Sequence, residues 1–245
     1  MCQRLKSQMA EHPVQPASGQ YSAFKRCREA TMNVDELLKL YAIGERNFSG
    51  VYLHQVYLYE AELIGASLYE ADLIGANLSK AKLSRVNFGK ANLSKIDLSR
   101  ADLGGADLTE ALLAEANLYR AELMGANLSK ADLSGASLVQ ATLIGANISR
   151  AILCRADLHG VNLYGVNLRR AVLTESDLIG ANLSKVDLSG ADLMGASLIR
   201  ADLTEAILSA SDLSGANLLG ANLTKVNLSG VYLKGTTMPD GTIHD

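Results

Sequence analysis

The stretch Ala71-Asp72-Leu73-Ile74-Gly75-Ala76-Asn77-Leu78-Ser79-Lys80 states the rule that most of the chain obeys: a small residue, an Asp or Asn, a Leu, then two variable residues. Read outward from it, the frame holds from Arg46 to Asp240 without an insertion or deletion, which makes thirty-nine units. Thirty-five of their central residues are Leu, the others being Phe48, Phe88, Ile148 and Met238; two places earlier stand twenty-six Ala and eight Val. So strict a period specifies one structural unit used many times.

Five residues advance an α-helix by about 500°, so the leucines would scatter around the cylinder instead of forming a stripe. In a flat strand an odd step sends successive leucines to opposite faces. Both objections vanish if the chain runs extended for a few residues and bends inward once per unit, with Ala/Val and Leu inside a coil of short sides. Glycine ends sixteen units, including Gly65, Gly125 and Gly195, as expected of a tight corner. Burial of a Leu contributes about 1.5–3 kcal/mol, while ordering the backbone costs about 1–2 kcal/mol for every residue of the unit. A single unit therefore cannot stand alone, and stability must come from turns stacked on turns.

The repeat resembles the pentapeptide-repeat family. The resemblance implies an all-β fold, a right-handed quadrilateral parallel β-helix with four sides per turn. Residues twenty apart then stack, as the column Ser129, Ser149, Ser189, Ser209 and Ser229 suggests, interrupted by Arg169. Thirty-nine units make nearly ten turns, a rod about 45 Å long at the spacing of stacked strands. Residues 46–240 are read as this solenoid.

Its ends need covers. Asn33 with Glu36 predicts an N-cap for a short capping helix over Val34–Ile43 within residues 32–45, stopped by Gly44, with Leu37, Leu38, Tyr41 and Ile43 on the first turn. At the other end Met238-Pro239-Asp240-Gly241 reads as a turn, with residues 241–245 as a C-terminal cap and Ile243 folded over the last layer. Residues 1–31 are polar and aperiodic and are expected to be disordered; Met32 is a second candidate for the translation start.

The whole chain has 245 residues, 23 basic and 26 acidic, for a net charge of -3, against both a polybasic nucleic-acid binder and a strongly anionic protein. Cys2, Cys27 and Cys154 form neither a disulfide framework nor a zinc motif, and no signal peptide or membrane span is read near the start. A cytoplasmic location is expected. His12, His54, His159 and His244 are scattered, and Cys154 and His159 fall on adjacent sides, so no enzyme, cofactor or metal site is expected. The Asp and Asn before each Leu are read as bonding near the corners or as solvated.

With the inside filled by aliphatic side chains, recognition is left to the outside. One outward column reads Tyr119, Val139, His159, Ile179, Ile199 and Leu219; the neighbouring side carries Ile64, Met124, Ile144 and Tyr164. Contiguous apolar surface of this kind marks a partner site. Lys80, Arg100 and Arg120 run beside the first column, suited to orienting an acidic partner. Tyr52, Tyr57, Tyr59 and Tyr69 cluster near the start.

The expected function is a non-catalytic protein-interaction scaffold, monomeric and without direct nucleic-acid or membrane binding. Both ends, Met32-Asn33-Val34-Asp35-Glu36-Leu37 and Met238-Pro239-Asp240-Gly241-Thr242-Ile243, resemble those of cyanobacterial pentapeptide-repeat proteins, including a regulator of heterocyst differentiation. That resemblance implies a regulatory role directed at a transcription regulator. The alternative, drawn from other members, is a DNA mimic that binds gyrase or another topoisomerase. Mimicry needs a dense negative stripe. Between Arg46 and Met238 there are nineteen acidic and seventeen basic residues.

Overall fold

The computed structural model describes residues 32–245; the expectations for residues 1–31 lie outside it. From Asn47 onward, parallel bridges join residues twenty apart, as in Tyr57 to Asn77 to Asp97 and Glu62 to Lys82 to Asp102. Four five-residue units therefore complete a turn, and four walls rise along the coil. Wall A is built on Leu118, Leu138 and Leu158, wall B on Leu123, Leu143 and Leu163, wall C on Leu128, Ile148 and Leu168, and wall D on Leu113, Leu133 and Leu153.

Within one unit the cause of the bend is visible. Ala71 N–H donates to Leu68 C=O at 3.0 Å, closing a four-residue turn in which Glu70, the third residue, has φ 54°. A left-handed third residue is the mark of a type II turn. The last residue of every unit from Gly50 to Gly235 has this conformation, including Lys80, Arg120 and Arg170. Glycine is thus one of several occupants of the corner rather than its requirement. The strain of a left-handed side-chain-bearing residue, about 1–2 kcal/mol, is opposed by a ladder bond made at the same residue, such as Arg170 N–H to Ser189 C=O at 3.0 Å.

The Leu and Ala positions form one continuous core, with Leu63 through Leu218 at most 2% exposed at the Leu positions. Three Ala positions hold hydroxyls instead: Ser176, Ser211 and Thr236 are buried. They donate to Leu173, Leu208 and Leu213 carbonyls, each at 2.7 Å, which removes the cost of burying them.

One helix, α1 (Val34–Ala42), lies over the first turn. Asn33 Oδ1 accepts from Glu36 N–H at 2.8 Å. Leu37 is fully buried, with Leu38, Leu40 and Tyr41 packed against the core, and Tyr41 donates its hydroxyl proton to Ile64 C=O at 3.0 Å. Ile43 departs from the expectation: it is 79% exposed, because it follows the last helical residue and turns away as the C-cap.

Ile243 departs too. It is 67% exposed, and the tail pairs edge-on, Thr237 with Ile243 antiparallel, instead of folding across the core. Leu223, Val226, Leu228 and Val231 consequently stay partly exposed. On wall C the ladder stops at Ile207, and a cleft lined by Ile207, Ser209, Lys225 and Asn227 separates the last two turns.

Candidate functional site: the outer walls

Three residues of each unit face outward: the one before the central Leu and the two after it. The first has a definite task. Asn117 Oδ1 accepts from Tyr119 N–H at 3.1 Å, Asp177 from Ile179 N–H at 2.9 Å and Asn217 from Leu219 N–H at 3.0 Å. The Asp and Asn of the repeat therefore cap the corners, and each holds in place the residue just after the Leu.

On wall A that residue carries the apolar column. Arg100 N–H donates to Tyr119 C=O, Arg120 N–H to Val139 C=O, Gly160 N–H to Ile179 C=O, Gly180 N–H to Ile199 C=O and Arg200 N–H to Leu219 C=O, at 2.8–3.0 Å. With Gln140 N–H donating to His159 C=O at 3.3 Å, the column is one backbone ladder that His159 shares with the apolar residues. Its side chains shade one another: Tyr119, Val139, Ile179 and Ile199 are half-buried, His159 is exposed and Leu219 is 45% exposed. On wall B, Met124 is 54% and Tyr164 41% exposed, with Ile144 half-buried between them.

The basic residues beside wall A are exposed and partly engaged. Lys80 donates to Tyr59 OH and lies 3.3 Å from Glu60; the Tyr59 hydrogen bond first, and then Glu60, push its pKa up. The Arg120 guanidinium lies 5.1 Å from the Tyr119 ring centroid and donates to Gln140 at 2.7 Å. Arg100 makes no ion pair among the described residues. On wall B, Lys185 lies 5.5 Å from the Tyr164 ring, whose hydroxyl is the first cause raising the lysine's pKa.

The tyrosines near the start divide between walls. Tyr57 and Tyr59 stack on wall A with centroids 5.9 Å apart, while Tyr52 meets His54 edge-on at 6.3 Å on wall D, where His54 Nε2 lies 2.7 Å from Asp72. Cys154 and His159 occupy walls D and A. Thr174 Oγ1 donates to Cys154 Sγ at 3.1 Å. Among the described residues no three of His, Cys, Asp and Glu converge as a metal site, and no helix is long and apolar enough to cross a membrane.

Wall D holds an apolar surface that the reading of the sequence passed over. Leu112 is 46%, Ile152 40% and Met194 43% exposed, and Val172 is half-buried. The available signal was the identity of the residue before the central Leu. Leu112, Ile152 and Val172 stand where Asp or Asn would cap the turn, and each such lost hydrogen bond costs about 1 kcal/mol.

Several acidic residues pair with bases on neighbouring turns. Glu110 pairs with Lys130 at 2.8 Å, Glu175 with Arg155 at 2.7 Å, and Glu205 with Lys225 at 2.6 Å and Lys185 at 4.0 Å. Asp187 meets Arg169 at 3.1 Å.

The family model described as pentapeptide repeats matches in eight copies, over residues 47–85, 81–118, 91–129, 101–138, 121–160, 136–174, 171–209 and 201–238. Among solved structures the chain is similar to HetL, a pentapeptide repeat protein involved in heterocyst differentiation regulation from the cyanobacterium Nostoc sp. strain PCC 7120. Identity is 36%, over 87% of this chain and 100% of HetL, with a TM-score of 0.43. It is also similar to Rfr23 from the cyanobacterium Cyanothece 51142, at 35% identity over 40% of this chain and 64% of that one, TM-score 0.33. QnrB1, a plasmid-mediated fluoroquinolone resistance protein, matches at 22% identity over 77% of this chain and 89% of its own, TM-score 0.37. No curated protein sequence matches the chain.

Proposed function

The chain belongs to the pentapeptide-repeat family, and we propose that within it the protein is a non-catalytic interaction scaffold with a regulatory role, binding a protein partner through walls A and B. The observation that carries this reading is the largely apolar column Tyr119, Val139, Ile179, Ile199 and Leu219, interrupted by His159, on one backbone ladder, with Met124, Ile144 and Tyr164 on the adjoining wall. Exposed apolar surface in this quantity costs solubility unless something covers it. Arg100 and Arg120 orient the partner by charge. The involvement of HetL in heterocyst differentiation regulation is in line with the regulatory role, a transcription regulator as target being the specific version of the reading. The DNA-mimic alternative is weaker, because the nineteen acidic residues between Arg46 and Met238 are nearly balanced by seventeen basic ones, and Glu110, Glu175, Glu205 and Asp187 each pair with a neighbouring base.

The test is the double substitution Ile179→Asp with Ile199→Asp. Other units place Ser at the same position, so the coil is expected to fold and melt normally. Affinity capture from lysate with mass spectrometry should then lose the proteins retained by the parent. An unchanged set of captured proteins would remove this column from the site, and strong gyrase inhibition in a supercoiling assay would favour the alternative.

A further inference from the structure

On wall D, as on wall A, arginines stand beside apolar side chains, but here the apolar side chains occupy the slot of the corner cap. Bridges run from Leu112 through Asp132 to Ile152, Val172 and Asp192, so Ile152 and Val172 are direct neighbours across one turn. Each is preceded at the corner by an arginine: Arg150-Ala151-Ile152 and Arg170-Ala171-Val172. Several corner bases find acids one turn away, Lys130 with Glu110, Arg155 with Glu175 and Lys225 with Glu205, whereas Arg100 and Arg120 beside wall A do not. Arg150 and Arg170 make no ion pair among the described residues, and they stack on each other's neighbouring turns with Lys130 below them and Gly190 above.

The surrounding carboxylates are occupied. Asp132 accepts from Ser134 N–H and Oγ, Asp192 accepts from Met194 N–H, and Asp187 holds Arg169. Two positive charges one strand spacing apart, beside aliphatic side chains that displace the usual corner cap, make a surface complementary to negative charge carried on an apolar segment.

We propose that wall D is a second docking surface, around Arg150, Ile152, Arg170 and Val172, for an acidic amphipathic polypeptide segment whose aliphatic side chains cover Ile152 and Val172 while its carboxylates reach the two arginines. It is independent of the reading of walls A and B. Nucleic acid fits it less well, since Asp132 and Asp192, which pair with no base among the described residues, border the patch and repel a continuous polyanion.

The probe is a fluorescein-labelled peptide of alternating glutamate and leucine, with an all-glutamate peptide and a short DNA duplex as competitors, followed by fluorescence anisotropy. Binding to the full chain should weaken at least ~10-fold in Arg150→Glu with Arg170→Glu, and similarly in Ile152→Asp with Val172→Asp. It should also weaken as salt is raised, because the charges are exposed. The charge-matched control Arg85→Glu with Lys234→Glu should bind as the parent does. Thermal melts confirm that each variant is folded. Absence of binding, unchanged binding by either wall D variant, or equal binding of the all-glutamate peptide or the duplex would overturn the proposal.

Discussion

The corner-capping carboxylate is the smallest unit on which the outer walls depend. Asp177 accepts the Ile179 N–H at 2.9 Å and so fixes where the side chain of Ile179 leaves the wall. Replacing Asp177 by Ala leaves that part-buried N–H without its acceptor and should cost about 1–2 kcal/mol, whereas Asn keeps the oxygen and should cost under about 0.5 kcal/mol. Thermal melts of the two variants check this; equal losses would mean that the charge, not the acceptor, matters. The sequence left the Asp and Asn either bonding near the corners or solvated; bonding holds because a short acceptor two residues before an N–H closes the turn. The left-handed backbone of Lys80 or Arg170 was not legible, because nothing in a long charged side chain announces it. Only the periodic frame, with Gly at the same place in other units, points there.

Among elements, the walls and the helix were legible to different degrees. Asn33, Glu36 and Leu37 mark α1 because capping and burial act locally. The fate of Ile43 and Ile243 was not, since both are decided by the direction the chain takes after its last regular turn. Wall A stood out because its apolar residues share one column at positions often held by Ser. Wall D was passed over because its apolar residues sit in the slot reserved for Asp and Asn.

The ladders of opposite charge that link successive turns also belong to this scale. Glu205 is held below the usual carboxylate range by Lys225 first and then Lys185, and Glu110 by Lys130. Both carboxyls ionise more readily folded than unfolded. Their contribution is complete above the unfolded value of about 4.3 and is lost as pH falls through the lower folded values. The melting temperature should therefore drop on acidification below about pH 4, and drop less in Glu110→Gln with Glu205→Gln. An identical acid profile in that variant would show that the ladders do not couple to folding. High salt should mimic part of the loss, because these pairs are exposed.

At the scale of the molecule, no unit is stable by itself, and every wall inherits its geometry from the step of twenty residues. Both proposed docking surfaces depend on Ile179 stacking on Ile199 and Ile152 on Val172. In a chain whose Cys2, Cys27 and Cys154 are replaced by Ser, spin labels on Ser129→Cys and Ser149→Cys report that step directly. Lys130 N–H donates to Ser149 C=O at 3.0 Å, so these positions occupy neighbouring turns of wall C, at roughly the 4.8 Å strand spacing. Labels on Tyr119→Cys and Ser129→Cys, ten residues apart, fall on opposite walls with the leucine core between them. Strong dipolar broadening in the first pair and none in the second is the expected result. Broadening in the ten-residue pair, or its absence in the twenty-residue pair, would contradict the four-sided coil and with it both surfaces.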